Sequence, residues 1–226
     1  MSVPDGVAAM LPVLPVRGTM RDQVADSLRA AVVAGQMAPG EVYSAPALAE
    51  RFGVSATPVR EALLDLVRDG LMEPVRNKGF RVTALSSAEL DATGDVRALL
   101  EPEAAARAAR RPEAERRAAV ERLRPVARRI VEAARSGDVV GHVRADREFH
   151  AGLLELTGNP VLAETVMRLR DRSRLYGLPR LAERGTLSDT AREHDTILDL
   201  VAAGDAEAAA AAMRHHVGHV RGEWSG

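Results

Sequence analysis

The chain has 226 residues, 46% of them hydrophobic but only 3% aromatic, so a sizeable core is available and must be built from Ala, Leu and Val, which suits packed helices better than a sheet-rich sandwich. With 31 basic and 32 acidic residues the formal net charge is −1, so bulk charge gives no sign of nucleic-acid binding and any DNA-facing surface must be local. No cysteine is present, which excludes disulfides, zinc-thiolate sites and thiol catalysis, and no apolar run approaches the ~18 residues of a membrane span, so a cytoplasmic protein without a membrane partner is expected.

In chain order, residues 1–18 carry a short apolar patch without a basic leader and broken by prolines; they read as a flexible arm. Thr19 opens a first helix, with Asp22 three residues on as in a capping box. Val24, Leu28, Ala31 and Val32 then repeat at helical spacing until Gly35 and Pro39-Gly40. A second helix runs roughly over 44–52, and Gly53 makes the turn. Ser55 caps a third helix that ends near Asp69-Gly70, with Pro58 in its first turn, where a missing N–H costs little. Residues 71–75 and 79–83 read as two short strands joined by Arg76-Asn77-Lys78.

Beyond a boundary near residues 84–87, where Ser86 precedes Glu89-Leu90, every long segment has a helical pattern. Breaks are expected at Arg111-Pro112, Ser136–Asp138, Gly158–Pro160, 176–186 and Gly204-Asp205. They give about six helices, enough for an antiparallel bundle. Pro102 and Pro125 are expected to kink or interrupt two of them. The fold class is therefore mainly α: a winged helix-turn-helix at 19–84 with a small β-hairpin wing, then a helical domain at 85–226.

In the third helix Val59, Ala62, Leu63, Leu66 and Val67 form the inward stripe, and Ala56, Thr57 and Arg60 lie at the N-terminal end of the other face. That end of a recognition helix reaches base edges and phosphates. Thr57 can bond a phosphate or touch a thymine methyl, and Arg60 can pair with guanine or clamp a phosphate. Arg76 and Lys78 at the wing tip, with Arg81 close by, oppose only Glu73, a locally positive patch suited to phosphate contact. Two amphipathic helices in a plain core would show the same periodicity; the wing and the polar N-terminal face favour DNA.

The strings LAERFGVSATPVREAL and GLMEPVRNKGFRV resemble the winged helix of the GntR family of bacterial transcription regulators over residues 19–83. The resemblance implies DNA contact by Ser55, Thr57 and Arg60, and at the wing by Arg76, Asn77, Lys78 and Gly79. Two positions depart from the family pattern: Ala56 stands where Arg is common, and Pro46 lies where many members are polar or charged.

All six histidines lie after residue 141. Asp146 and His150, in DREFH, are four apart on one helical face; His194 opens REHDTILDLVAAGD; His215, His216 and His219 share the last helix. One carboxylate and three imidazoles meeting in a bundle would suit Zn²⁺, Ni²⁺, Mn²⁺ or Fe²⁺. By spacing alone, solvated histidines and a chance D-x-x-x-H pair are the better explanation of the pattern. Residues 86–222 resemble the all-helical FCD effector domain of the FadR-type branch, on VRALLEPEAAARAA, DREFHAGLLELTGNP, REHDTILDLVAAGD and AEAAAAAMRHHV. The resemblance implies a divalent metal held by Asp146, His150, His194 and His216, the last chosen over His215 for its place three residues after Met213, with His142 and His219 as bystanders. It also matches Arg97 to a cavity-facing arginine that would pair the carboxylate of an effector; a salt bridge to Glu101 at i+4 is the competing role. Asn159 reads as a helix cap before Pro160.

The expected function is a non-enzymatic transcriptional repressor, a homodimer on a palindromic double-stranded operator, modulated by a small organic acid. The alternatives are a metal-free FCD regulator of an acyl or other organic acid ligand, and a metal-dependent hydrolase.

Overall fold

The computed structural model describes residues 19–183 and 187–222, with side chains at 19–173 and 190–218. The arm at 1–18, the chain at 184–186 and the side chain of His219 lie outside the described residues.

The first unit begins with α1 (Met20–Val33). Both halves of its capping box are made: the Asp22 N–H donates to Thr19 Oγ1 at 3.2 Å, and the Thr19 N–H donates to the Asp22 carboxylate at 2.8 Å. Then come β1 (Val42–Tyr43), α2 (Ala45–Phe52), α3 (Ala56–Arg68), β2 (Met72–Val75) and β3 (Gly79–Val82). Leu28, Val59, Leu63, Leu66 and Val82 interlock as its core, each burying side-chain surface that stabilises by about 1.5–3 kcal/mol relative to exposure.

The sheet has three strands in the order β1-β3-β2, all antiparallel, where the sequence pattern indicated two. Two residues are too few to show strand alternation, so β1 was not visible in the pattern. β1 also explains Gly79. Tyr43 pairs with Phe80, and a Cβ on Gly79 would meet the Tyr43 carbonyl oxygen at 2.3 Å, so only glycine lets the strands close.

The second unit is α4 (Ser87–Ala109), α5 (Glu113–Ser136), α6 (Val139–Glu155), α7 (Pro160–Glu183), α8 (Leu187–Ala203) and α9 (Ala206–Gly222). α9 packs along α4, and α5 lies against α6 and α8. Leu123, Ile130, Phe149, Ile197, Leu198 and Met213 fill the centre. One expected break is corrected, and the interruption expected at two prolines does not occur. The break placed at 176–186 is narrower, because α7 continues to Glu183. Neither Pro102 nor Pro125 interrupts its helix: both stand inside elements that run on for about two turns or more past them. Asn159 does cap α7, accepting the Leu162 N–H at 3.1 Å. Among the described residues, no helix is long and apolar enough to cross a membrane.

α1 also packs against α6 and α7, joining the two units. Ala30 and Val33 of α1 bury themselves against Val143 of α6.

Candidate DNA interface and metal centre

The helix-turn-helix is built locally. Ser44 caps α2 by accepting the Ala47 N–H, and Gly53 ends it in the left-handed conformation (φ 67°) that a residue without Cβ adopts freely. Extended backbone at Ser55 then launches α3. Val59, Ala62, Leu63 and Leu66 are buried, while Ser55, Ala56, Thr57 and Arg60 are exposed at the N-terminal end. The Ser55 hydroxyl makes no capping bond, contrary to expectation, so it is available to an external acceptor or donor. Arg21 of α1 clamps Asp65 of α3 through two hydrogen bonds, fixing the helix from behind.

At the wing, Arg76, Asn77 and Lys78 are exposed in the turn between β2 and β3, and Asn77 takes the positive φ of 59° that Asn tolerates. Gly79 is half-buried under Tyr43. Arg81, expected to add to the positive patch, donates to Glu73 at 2.9 Å across the strand pair, so the cations at the tip are Arg76 and Lys78.

In the second unit the structure brings Asp146 and His150 of α6, His194 of α8 and His216 of α9 into one buried cluster whose ligand atoms all lie within 4.8 Å of one another. His194 Nε2 lies 3.2 Å from both His150 Nε2 and Asp146 Oδ1, and His150 Nε2 lies 3.6 Å from the same oxygen. Ligands held about 2.0–2.1 Å from a tetrahedral ion sit about 3.3 Å apart, so these separations fit a common first coordination shell. The outward nitrogens set the tautomers. His194 Nδ1 faces the Ala191 carbonyl at 2.9 Å, and His216 Nδ1 faces the Glu193 carboxylate at 2.8 Å. Each therefore directs an Nε2 lone pair inward, and His216 Nε2 is buried without a protein partner. Phe149 closes one side, with ring centroids 4.6 Å from His194 and 5.1 Å from His150. The residues present fit a divalent ion.

His142 is buried beside the Ile130 carbonyl and outside the cluster, and His215 is exposed. Glu148, adjacent in sequence to the ligands, pairs on the surface with Arg129 at 2.7 Å and supplies no acid or base to the chamber.

Beside the cluster lies an ion network. Arg97 Nε donates to Glu101 at 2.7 Å and Nη1 to Ser173 Oγ at 2.8 Å, while Nη2 is buried without a partner. Arg97 thus makes the i+4 salt bridge and still presents a free donor. Arg170 of α7 donates to Glu101 and, at 3.1 Å, to Asp146. Arg170, Glu101 and Glu193 were not singled out as site residues by spacing. Glu101 carried a signal as the i+4 partner of Arg97, and Glu193 as the neighbour of His194; Arg170 sits in an arginine-rich string, RLRDRSR, that gives none.

Burial, reinforced by the charge of Arg170, drives the His150 imidazole well below its ordinary value. Burial also pushes His216 down to about 3, against the pull of Glu193. Both are neutral when folded, as ligands must be. In the unfolded chain these groups take up protons near pH 6.5; in the folded chain they resist until far lower. Metal-free protein is therefore expected to hold its stability above about pH 6.5 and to lose it progressively below, His216 contributing on the order of 1.4 kcal/mol per pH unit down to about pH 3 and His150 acting in the same direction. Urea unfolding in chelator at pH 7.5, 6 and 5 should show falling midpoints at constant m; equal midpoints would contradict this.

The family model "Bacterial regulatory proteins, gntR family" matches residues 20–82, and the "FCD domain" model matches residues 93–219, more than half of the chain. The chain belongs to the GntR family, in its FadR-type branch. A relative named "Probable D-xylose utilization operon transcriptional repressor", from Paenarthrobacter nicotinovorans, is 29% identical over 204 residues, 89% of this chain and 87% of its own. An HTH-type transcriptional regulator of Streptomyces ambofaciens is 31% identical over 203 residues, 88% and 82% of the two chains. Among solved structures, Escherichia coli McbR/YncC superposes with a TM-score of 0.73 at 26% identity, covering 91% of this chain and 95% of its own. As a GntR-family member the chain is a transcriptional regulator whose helix-turn-helix binds DNA.

Proposed function

We propose that this regulator is a repressor whose grip on a palindromic operator is set by a small carboxylate bound beside a divalent metal in the helical domain. The observation that carries this reading is the pairing, in one chain, of an exposed recognition-helix N-terminus with a buried Asp146/His150/His194/His216 cluster next to a free Arg97 donor.

At the DNA, Thr57 and Arg60 approach base edges or phosphates from the groove side of α3, with Ser55 at the helix start and Arg76, Asn77, Lys78 and the Gly79 backbone at the wing. Ala56 supplies no polar contact, so Arg60 carries more of the discrimination. Repressor activity matches the role for which the Paenarthrobacter relative is named. Two copies are expected per operator. Leu99 (75% exposed) and Val161 (71% exposed) offer apolar surface for a partner copy, each next to a residue, Leu100 or Leu162, of one satellite cluster.

In the chamber the two arginines, Arg97 and Arg170, balance the two carboxylates, Glu101 and Asp146. Even with Glu193 held against His216, a divalent ion would leave positive charge in excess, and burying uncompensated charge is costly, so an anionic ligand is the fitting occupant. When bound, the metal supplies a Lewis-acidic attachment point for a carboxylate oxygen. Arg97 Nη2 is the donor that would orient the other end.

A metal-free chamber is the second reading, favoured by Arg170, which already neutralises Asp146. Selection of random duplex DNA by the full-length protein tests the regulator itself. It is expected to enrich an inverted repeat; enrichment of no motif would count against the proposal.

A further inference from the structure

Four consecutive residues of α7, Arg170 to Ser173, look in two directions. Residues three apart share a helix face, and the two between them point away. Arg170 and Ser173 face the chamber, where they bond Glu101, Asp146 and Arg97. Asp171 and Arg172 face the DNA-reading unit. Asp171 is buried and meets Arg29 of α1, whose Nε lies 3.2 Å away. Arg29, itself 7% exposed, reaches Asp69 at the C-terminal end of the recognition helix with an Nη2 contact of 2.5 Å. Arg147 of α6 closes the set on Asp171. Arg172 lies over the next residue of that helix end: a Cβ added to Gly70 would sit 3.3 Å from Arg172 Cδ.

We propose that Asp171 and Arg172 are positioning residues for the recognition helix, and that the 170–173 turn couples the state of the chamber to the set of α3 against the rest of the molecule. The physical basis is that ion pairs this buried resist separate movement. Removing one partner leaves a charge without solvent or counter-ion, so the pairs shift together. Any rearrangement that draws Arg170 away from Asp146 or Glu101 rotates or slides the turn. Asp171 moves with it and takes Arg29 and Asp69 along. The C-terminal end of α3 is the lever, because its N-terminal end carries Thr57 and Arg60. Reading the chamber as the effector site gives this coupling its purpose, but the coupling can be measured without metal, effector or DNA.

The experiment is hydrogen exchange on four full-length proteins: wild type, Glu101→Gln, Asp171→Asn and the double variant. Glu101 lies wholly in the chamber and touches no residue of the DNA-reading unit among its bonds. Coupling predicts that Glu101→Gln changes exchange of residues 64–70 by at least about threefold, and that the same substitution in the Asp171→Asn background changes it by less than half that factor. Asp171→Glu, which keeps the carboxylate, should restore part of the response, which a merely structural role would not require. An unaltered 64–70 segment in Glu101→Gln, while exchange around 146–150 does change, overturns the proposal. An equal change in both backgrounds overturns it too. If Glu101→Gln fails to fold, Ser173→Ala replaces it, since it removes the bond from Arg97 and a bond to the Arg170 carbonyl within α7, and no bond to the DNA-reading unit. Elemental analysis of the wild type reports on the metal separately, so failure of the coupling and failure of the metal reading are distinguishable.

Discussion

Replacing Arg60 with alanine is expected to remove specific operator binding while leaving fold and assembly intact. Arg60 is exposed on α3 while Val59, Ala62 and Leu63 are buried, so its loss should cost no more than about 0.5 kcal/mol of stability. A bidentate contact to a base is worth about 1–3 kcal/mol of discrimination. Two copies on a palindrome double that, to about 2–6 kcal/mol, or on the order of 30-fold to 10⁴-fold in affinity. Binding to unrelated DNA should fall far less, because it draws on phosphate contacts such as those of Arg76 and Lys78. Mobility shifts with operator and scrambled duplexes measure both. Undiminished preference for the operator in the variant would remove Arg60 from the interface.

The second large effect is expected from His150→Ala combined with His194→Ala. These two imidazoles lie 3.2 Å apart on different helices, α6 and α8, and share Asp146. Removing both leaves one carboxylate and one imidazole, too few to compete for a divalent ion. The wild type should carry about one metal per chain and the variant none by elemental analysis. Metal at 100 times its Kd should raise wild-type stability by about 2.7 kcal/mol, and the variant should show no such gain. Equal metal content in the two proteins would reject the cluster as a metal centre.

Most of the architecture was legible in the sequence because it rests on local rules. Thr19 and Ser86 cap their helices through residues three ahead, Gly53 and Gly137 end theirs, and apolar residues at helical spacing mark the buried faces. What was hidden depends on distant partners. β1 exists because Tyr43 finds Phe80, thirty-seven residues on, and neither residue advertises the pairing. The same holds for Gly79, read as a DNA contact, whose lack of a side chain is also demanded by that neighbour. In the chamber, Asp146, His150, His194 and His216 stood out as the residues that a family pattern marks. Arg170 did not, because its meaning comes from Glu101 and Asp146, 69 and 24 residues earlier. Arg81 illustrates the reverse error. Its charge looked available from local sequence, yet its cross-strand neighbour Glu73 cancels it. The run at 176–186 held glycine and proline and suggested a break, but α7 carries on through most of it.

The decisive quantity is the operator affinity of the full-length protein at fixed salt, first stripped of metal, then loaded, then loaded with a panel of small carboxylates. A chamber that governs DNA binding predicts that at least one of these changes of state alters the affinity by about 5- to 150-fold, the usual span of coupling between two sites. An affinity that stays constant through every state, although metal and carboxylate demonstrably bind, would contradict it.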